Sequence, residues 1–303
     1  MYAAGTGGLK ARLAWYDRSG KPIGEPFGES IDYRGFSLSP DGKRLAAEVE
    51  DSTTGISDIW LSDFARGTRT RFSFGPGPSI CPVWSPNGSR VAFARMERTL
   101  LTRIVAKPSS GGGGEETLLR SSGDICPKSW SPDGRYLAYD TLAAVARTKS
   151  DIWILPLFGD RKPFPFLATQ FDESSPQFSP DGRWVLYTSD ESGRPEVYVA
   201  PFPGPGSKWQ ISAGGGLGGE WLQGGKEITY RTLDLNQMSV EVKADASGFE
   251  TGVPRVLFNA SNATLLQNDP AGDRELLAIV PPAAQNTPIT LVSNWPAALK
   301  KRS

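Results

Sequence analysis

Histidine is absent from all 303 residues, and that gap removes most conventional hydrolytic chemistry. A Ser-His-Asp or Cys-His nucleophile system needs an imidazole base, and an H-E-x-x-H zinc site needs two imidazole ligands. No G-x-S-x-G nucleophile elbow occurs either. Acid-base catalysis by carboxylates or lysines remains open. Cysteine appears just twice, which leaves the redox compartment open and makes a poor metal site without histidine. Charge of one sign is not in excess: 33 basic residues face 33 acidic ones, so no large field draws in nucleic acid or an anionic membrane. There is no run of about eighteen apolar residues to span a bilayer, and the first thirty residues carry no apolar core of an export signal. The chain as it stands is expected to be soluble.

What is abundant is turn chemistry, with 34 Gly and 25 Pro. Much of it falls into one repeated tetrapeptide: Ser39-Pro40-Asp41-Gly42, Ser85-Pro86-Asn87-Gly88, Ser131-Pro132-Asp133-Gly134 and Ser179-Pro180-Asp181-Gly182. The steps of 46, 46 and 48 residues mark a stacked or circular array of supersecondary units. A large aromatic precedes the later copies (Trp84, Trp130, Phe178), and a β-rich run follows each, as in Tyr136-Leu137-Ala138-Tyr139. Pro presets φ, Asp or Asn caps, and Gly takes positive φ, so each tetrapeptide joins two antiparallel strands. A third strand is predicted at Asp58 to Leu61, Asp151 to Ile154 and Glu196 to Val199, and a fourth at Thr70 to Ser73 or Trp209 to Ser212.

Four short strands per unit of about 45 residues is the arithmetic of a β-propeller blade. Weaker anchors at Trp221 to Lys226 and Asp269-Pro270-Ala271-Gly272 bring the count to six. The expectation is therefore an all-β, six-bladed propeller of four-stranded blades, one domain over residues 1–303. In it a first hairpin, Leu13 to Asp17 with Pro22 to Gly24, closes the ring against the last repeat. The alternative is an incomplete seven-bladed ring, because Ile289 to Trp295 offers a further strand.

The tetrapeptides, the Asp-Ile-Trp strands and the stretch Thr188 to Val199 resemble the WD40-like Pro-Asp repeat of TolB-type propellers. The continuation through Pro201 to Gly206 and Trp209 to Ser212, with the ending Thr287 to Trp295, is similar to the C-terminal propeller of bacterial, notably acidobacterial, serine/threonine protein kinases. The resemblance implies a sensory or scaffolding module outside the membrane, preceded in the relatives by a cytoplasmic kinase and a membrane segment. Expressed as it stands, the chain would be cytoplasmic. The start at Met1-Tyr2-Ala3-Ala4 resembles the tail of a strand whose partners lie upstream in those relatives. No kinase glycine loop, Val-Ala-Ile-Lys strand or His-Arg-Asp loop is present, so phosphotransfer is not carried over.

One constellation points to a ligand site. Seven residues before the repeat Ser stand Asp32, Pro78, Asp124 and Asp172, with Arg34, Lys128 and Glu173 close by. In a propeller these segments converge on one mouth of the central channel, where loops meet and ligands bind. Asp32, Arg34, Asp124, Lys128, Asp172 and Glu173 are thus the candidate ligand residues, and Asp32, Asp124 and Asp172 the candidate holders of a divalent cation. The competing reading is that each Asp caps its own loop. Cys81 and Cys126 occupy similar places in adjacent units and are expected to be small buried residues rather than a bridge. Gly214, Gly216 and Gly219 fit G-x-G-x-x-G but precede a strand, so they read as an inter-blade loop. The sequons at Asn87, Asn259 and Asn262 are discounted. The expected function is non-catalytic binding of a protein, peptide or small ligand, without cofactor, nucleic acid or membrane insertion. The alternatives are a metal-dependent hydrolase or lyase in the channel and an accessory propeller of a prolyl-oligopeptidase-like peptidase.

Overall fold

The repeat turn shows why the chain folds in these units. In the computed structural model, which describes residues 10–97, 101–141, 149–204, 206–245, 248–268 and 274–279, the repeat Ser is buried in all four copies. Its hydroxyl donates to the Asp or Asn two residues on, at 2.5 Å for Ser39–Asp41 and 2.9 Å for Ser85–Asn87. The same oxygen accepts the N–H that starts the next strand, Arg44 at 2.9 Å and Tyr136 at 2.9 Å. Gly42, Gly88, Gly134 and Gly182 all sit at positive φ, 66° to 72°, which only glycine adopts without strain. The turn is satisfied internally and needs no solvent.

These turns link the strands of six blades. Blade 2 comprises β6 (Ser79–Trp84), β7 (Arg90–Met96), β8 (Thr102–Pro108) and β9 (Glu116–Ser121). Blade 3 comprises β10 (Ile125–Trp130), β11 (Tyr136–Thr141), β12 (Ile152–Pro156) and β13 (Phe164–Leu167), and blade 4 β14 (Glu173–Phe178), β15 (Trp184–Ser189), β16 (Glu196–Pro201) and β17 (Trp209–Gln210). In blade 5, β18 (Leu217–Leu222), β19 (Glu227–Arg231) and β20 (Asn236–Asp245) are followed by β21 (Gly248–Thr251) and β22 (Arg255–Asn259), which both pair with β20. Here a short 3-10 turn, Gln223–Gly225, replaces the tetrapeptide.

Ring closure uses both ends of the described chain. β23 (Ala263–Asn268) and β24 (Arg274–Ile279) are completed by β1 (Ala11–Asp17) and the first half of β2 (Pro22–Leu38). Register runs from Arg12 opposite Ile279 to Asp17 opposite Arg274. The second half of β2 then becomes the innermost strand of blade 1, with Asp32 opposite Glu50 in β3 (Arg44–Glu50), followed by β4 (Ser57–Asp63) and β5 (Thr68–Arg71). The expected closing hairpin is thus observed. The anchor at 269–273 lies outside the described residues except at its flanks, as do residues 289–295 invoked for a seventh blade.

Strand alternation sends each blade's two faces into different clusters. Ala46 packs toward blade 2, Leu45 and Ala47 toward blade 6; Val185 and Tyr187 toward blade 3, Trp184 and Leu186 toward blade 5. The result is six apolar clusters, one per seam. The aromatics before the repeat turns lie in these seams. Trp84 and Phe178 are buried, whereas Trp130 and Trp221 are partly buried. The Trp84 indole donates to Ser37 O of blade 1 at 2.9 Å, and the Trp221 indole to Gln177 O of blade 4 at 3.3 Å.

One expectation is corrected. Cys81 and Cys126 form a disulfide, with Cα atoms 5.7 Å apart. They stand one residue out of step relative to the repeat Ser, with Cys81 inside the bulge of β6 and Cys126 just before that of β10, at Lys128.

Among the described residues, the cluster at the seam between blades 5 and 6 is the smallest, with three buried members. That seam also holds buried acid. Glu220 accepts from the Asn268 backbone N–H and side-chain amide, Arg18 pairs with Glu227, and neither Glu275 carboxyl oxygen has a hydrogen-bond partner among the described residues. Burial raises Glu220 to about 7. Burial, reinforced by the charges of Glu220 and Glu227, raises Glu275 to about 8.

Two outcomes follow. Trp84→Ala should cost about 3–5 kcal/mol, the usual loss for a buried aromatic, measurable by urea denaturation. The raised carboxyls keep protons in the folded state that the unfolded chain releases near its ordinary value of 4.5. Their contribution is present below that value and is lost as pH rises through about 7 and 8. Thermal melts should therefore give a higher Tm at pH 6 than at pH 9, and Glu275→Gln should flatten the slope.

Candidate functional site

Each innermost strand reaches the channel mouth through a bulge. The register slips at Tyr33/Gly35, Ile80/Val83, Pro127/Ser129, Ser174/Gln177, Leu217/Glu220 and Ala263/Leu265, placing an extra residue in the innermost strand of all six blades. A bulge bends its strand and frees backbone groups from the ladder. Neighbouring blades take up these groups. Glu48 of β3 accepts the Cys81 N–H at 3.1 Å, and Asp140 of β11 accepts the Ser175 N–H at 3.1 Å. Arg231 of β19 donates to Ala260 O at 2.8 Å and to Ala263 O at 3.1 Å.

Three of the six sequence candidates meet at this level. Arg34 bridges Asp32 and Glu50, 3.1 Å from each. Lys128 lies 3.6 Å from the buried Asp140 carboxylate, and its charge, with that of Arg34, also acts on Glu48. Asp32, Arg34 and Lys128 thus belong to one charged group with Glu48, Glu50 and Asp140. Burial raises Glu48, Asp140 and Asp32 above the usual carboxylate range; Lys128 opposes this at Asp140, and Arg34 opposes it at Asp32. Four carboxylates face two cations.

The other three candidates bond locally. Asp124 accepts the Thr102 hydroxyl at 3.1 Å. The Asp172 N–H donates to Asp190 at 2.9 Å, and Lys149 holds the other Asp190 oxygen at 2.7 Å. Glu173 is buried, accepts the Thr169 hydroxyl, and is raised by that burial. Among the described residues no three His, Cys, Asp or Glu side chains are gathered closely enough to hold a metal ion. Asp32, Asp124 and Asp172 therefore do not form a common ligand set there.

Glu48 and Asp140 were not among the sequence candidates. Both stand nine residues after a repeat Ser, at Ser39 and Ser131, and that shared offset is the signal that marks them. The apolar surface was also missed. Ile56, Phe74, Leu101, Leu217, Leu233 and Leu235, six of ten exposed large hydrophobics among the described residues, all fall on loops or strand starts of the mouth face. Gly214 and Gly216 lie between β17 and β18, and the backbone N–H groups of Gly214 and Gly215 donate to the buried Glu196 at 2.9 and 2.8 Å. This is an inter-blade loop, as expected. A separate open cleft of roughly 870 Å³ lies on the turn face, over Trp184 and Trp221.

Known proteins share this architecture. Tricorn protease homolog 1 of Streptomyces coelicolor is 40% identical over 125 residues, 41% of this chain and 11% of that protein. The Tol-Pal system protein TolB of Bordetella pertussis is 30% identical over 221 residues, 57% of this chain. The chain spans half the length of that TolB and a far smaller part of the tricorn homolog. A TolB-type structure from Agrobacterium tumefaciens superposes with a TM-score of 0.68 over 91% of this chain and 100% of its own, at 18% identity, a likeness of fold. Residues 76–255 match the family model of the TolB beta propeller domain, more than half of the sequence, and the chain belongs to that family.

Proposed function

We propose that this chain is a non-catalytic binding module whose mouth face receives a protein or peptide segment carrying a cationic side chain among apolar ones. The observation that carries this reading is the combination at the mouth. The charged group of Asp32, Arg34, Glu48, Glu50, Lys128 and Asp140 has an excess of carboxylate, and six exposed apolar side chains lie on the same face. Three of those carboxylates are raised by burial, so a further cation nearby relieves a cost already present in the free protein. Apolar loop tips supply non-directional contact area, and the charges set register. The family supports binding rather than turnover, since the curated relative is named as a protein of the Tol-Pal system.

Two settings are compatible with this module. A setting beside a signalling domain is one, and it rests on the resemblance of Thr188 to Ser212 to kinase-linked propellers alone. The likeness to a tricorn protease homolog favours a second setting, an accessory propeller that admits segments to a peptidase.

A peptide array of varied charge and hydrophobicity tests the reading. Bound sequences should be enriched in Lys or Arg next to Leu or Phe. Binding should fall about 10-fold, or some 1.4 kcal/mol, in Asp32→Asn/Glu50→Gln and in Leu233→Asp. Enrichment of acidic peptides, or binding indifferent to all three substitutions, would contradict the proposal.

A further inference from the structure

The seam between blades 2 and 3 is fastened unlike the seams on either side of it. In those, a carboxylate nine residues after the repeat Ser accepts the N–H of the next blade's first bulge residue: Glu48 from Cys81, and Asp140 from Ser175. At the seam between them both halves of this clamp are missing. The residue nine after Ser85 is Ala94, whose side chain has no acceptor, and the residue four before Ser131, the place of Cys81 and Ser175 in their blades, is Pro127, which has no N–H. The Cys81–Cys126 bond joins the two innermost strands there instead, across 45 residues of sequence.

Cys81 is consequently held from two sides, by the bond toward blade 3 and by Glu48 of blade 1. Its backbone requires this. With φ at 56°, as at Ser175, it occupies a left-handed conformation that non-glycine residues keep only when their surroundings over-determine it. Glu48 is in turn within the charges of Arg34 and Lys128, so the bond reaches the mouth through a single hydrogen bond. Cys126 is fully buried and Cys81 only partly so, which leaves one sulfur-bearing residue on the accessible side.

We propose that the Cys81–Cys126 disulfide is a redox-dependent fastener of the channel mouth, standing in for the carboxylate clamp at a seam that lacks both its donor and its acceptor. Formed in an oxidising compartment, it fixes the blade 2 bulge and with it Glu48. A dithiol opens it by exchange: two electrons and two protons pass to the sulfurs, giving two cysteine thiols and one oxidised dithiol. This inference does not depend on what the mouth binds.

The test is reduction of the intact chain by a small dithiol without denaturant. Two thiols should become titratable, and Tm should fall by roughly 5–10 °C. Amide exchange should accelerate about 10-fold or more at Ile80–Val83 and Ile125–Trp130, with blade 4 unchanged. No thiols without denaturant, or thiols without any change in Tm and exchange, would overturn the proposal. A second comparison uses Cys81→Ser/Cys126→Ser with and without Ala94→Asp/Pro127→Ser, which rebuilds the clamp. Recovery of about half the lost Tm supports the equivalence, and no recovery refutes it.

Discussion

Closure of the ring by β1 on β24 is the constraint on which the rest of the molecule depends. A four-stranded blade cannot cover both of its apolar faces alone, and a row of blades leaves two faces open unless its ends meet. Here residues near opposite ends of the chain, Arg12 to Asp17 and Arg274 to Ile279, share one ladder. The same β2 that finishes blade 6 continues as the innermost strand of blade 1 and carries Asp32 and Arg34. Closing the ring and building the mouth are therefore one act.

The six seams share a geometry but differ in chemistry. Apolar clusters fill all of them, and the polar groups left by the bulges are taken up in more than one way. Glu48 and Asp140 use carboxylates, Arg231 a guanidinium, and the seam between blades 2 and 3 a covalent bond. The seam between blades 5 and 6 has the smallest apolar cluster among the described residues and holds Glu220 and Glu275, raised to about 7 and about 8 because burial makes their charged forms expensive. Repetition of fold has not required repetition of contacts. Such variety lets one ring combine firm seams with a pH-dependent one.

The sequence disclosed the architecture through residues that act locally. Ser39, Ser85, Ser131 and Ser179 each complete their own turn, so their motif survives wherever the turn does. Blade 5 makes the same connection with Gln223 to Gly225 and leaves only Trp221 and Gly224 as a trace. The site was less legible because it depends on register. Counting back from the repeat Ser put Asp124 and Asp172 in line with Asp32, yet Asp124 is engaged by Thr102 at the start of β8 and Asp172 by Asp190 after β15. Glu48 and Asp140 looked like ordinary strand residues, and only the bulge of the next blade turns them into clamps. The Cys pair was misjudged for the same reason: the bulge at Lys128 lies in space, not in the spacing.

Hydrogen exchange of β1 is the most direct measure of the closed ring. If Ala11–Asp17 is an integral strand between β24 and β2, the amides it commits to those ladders should exchange as slowly as those of β11 or β15, limited by global opening. Exchange of that segment at the rate of a frayed terminus, with the inner strands still protected, would show an open array of blades and contradict the closed mouth.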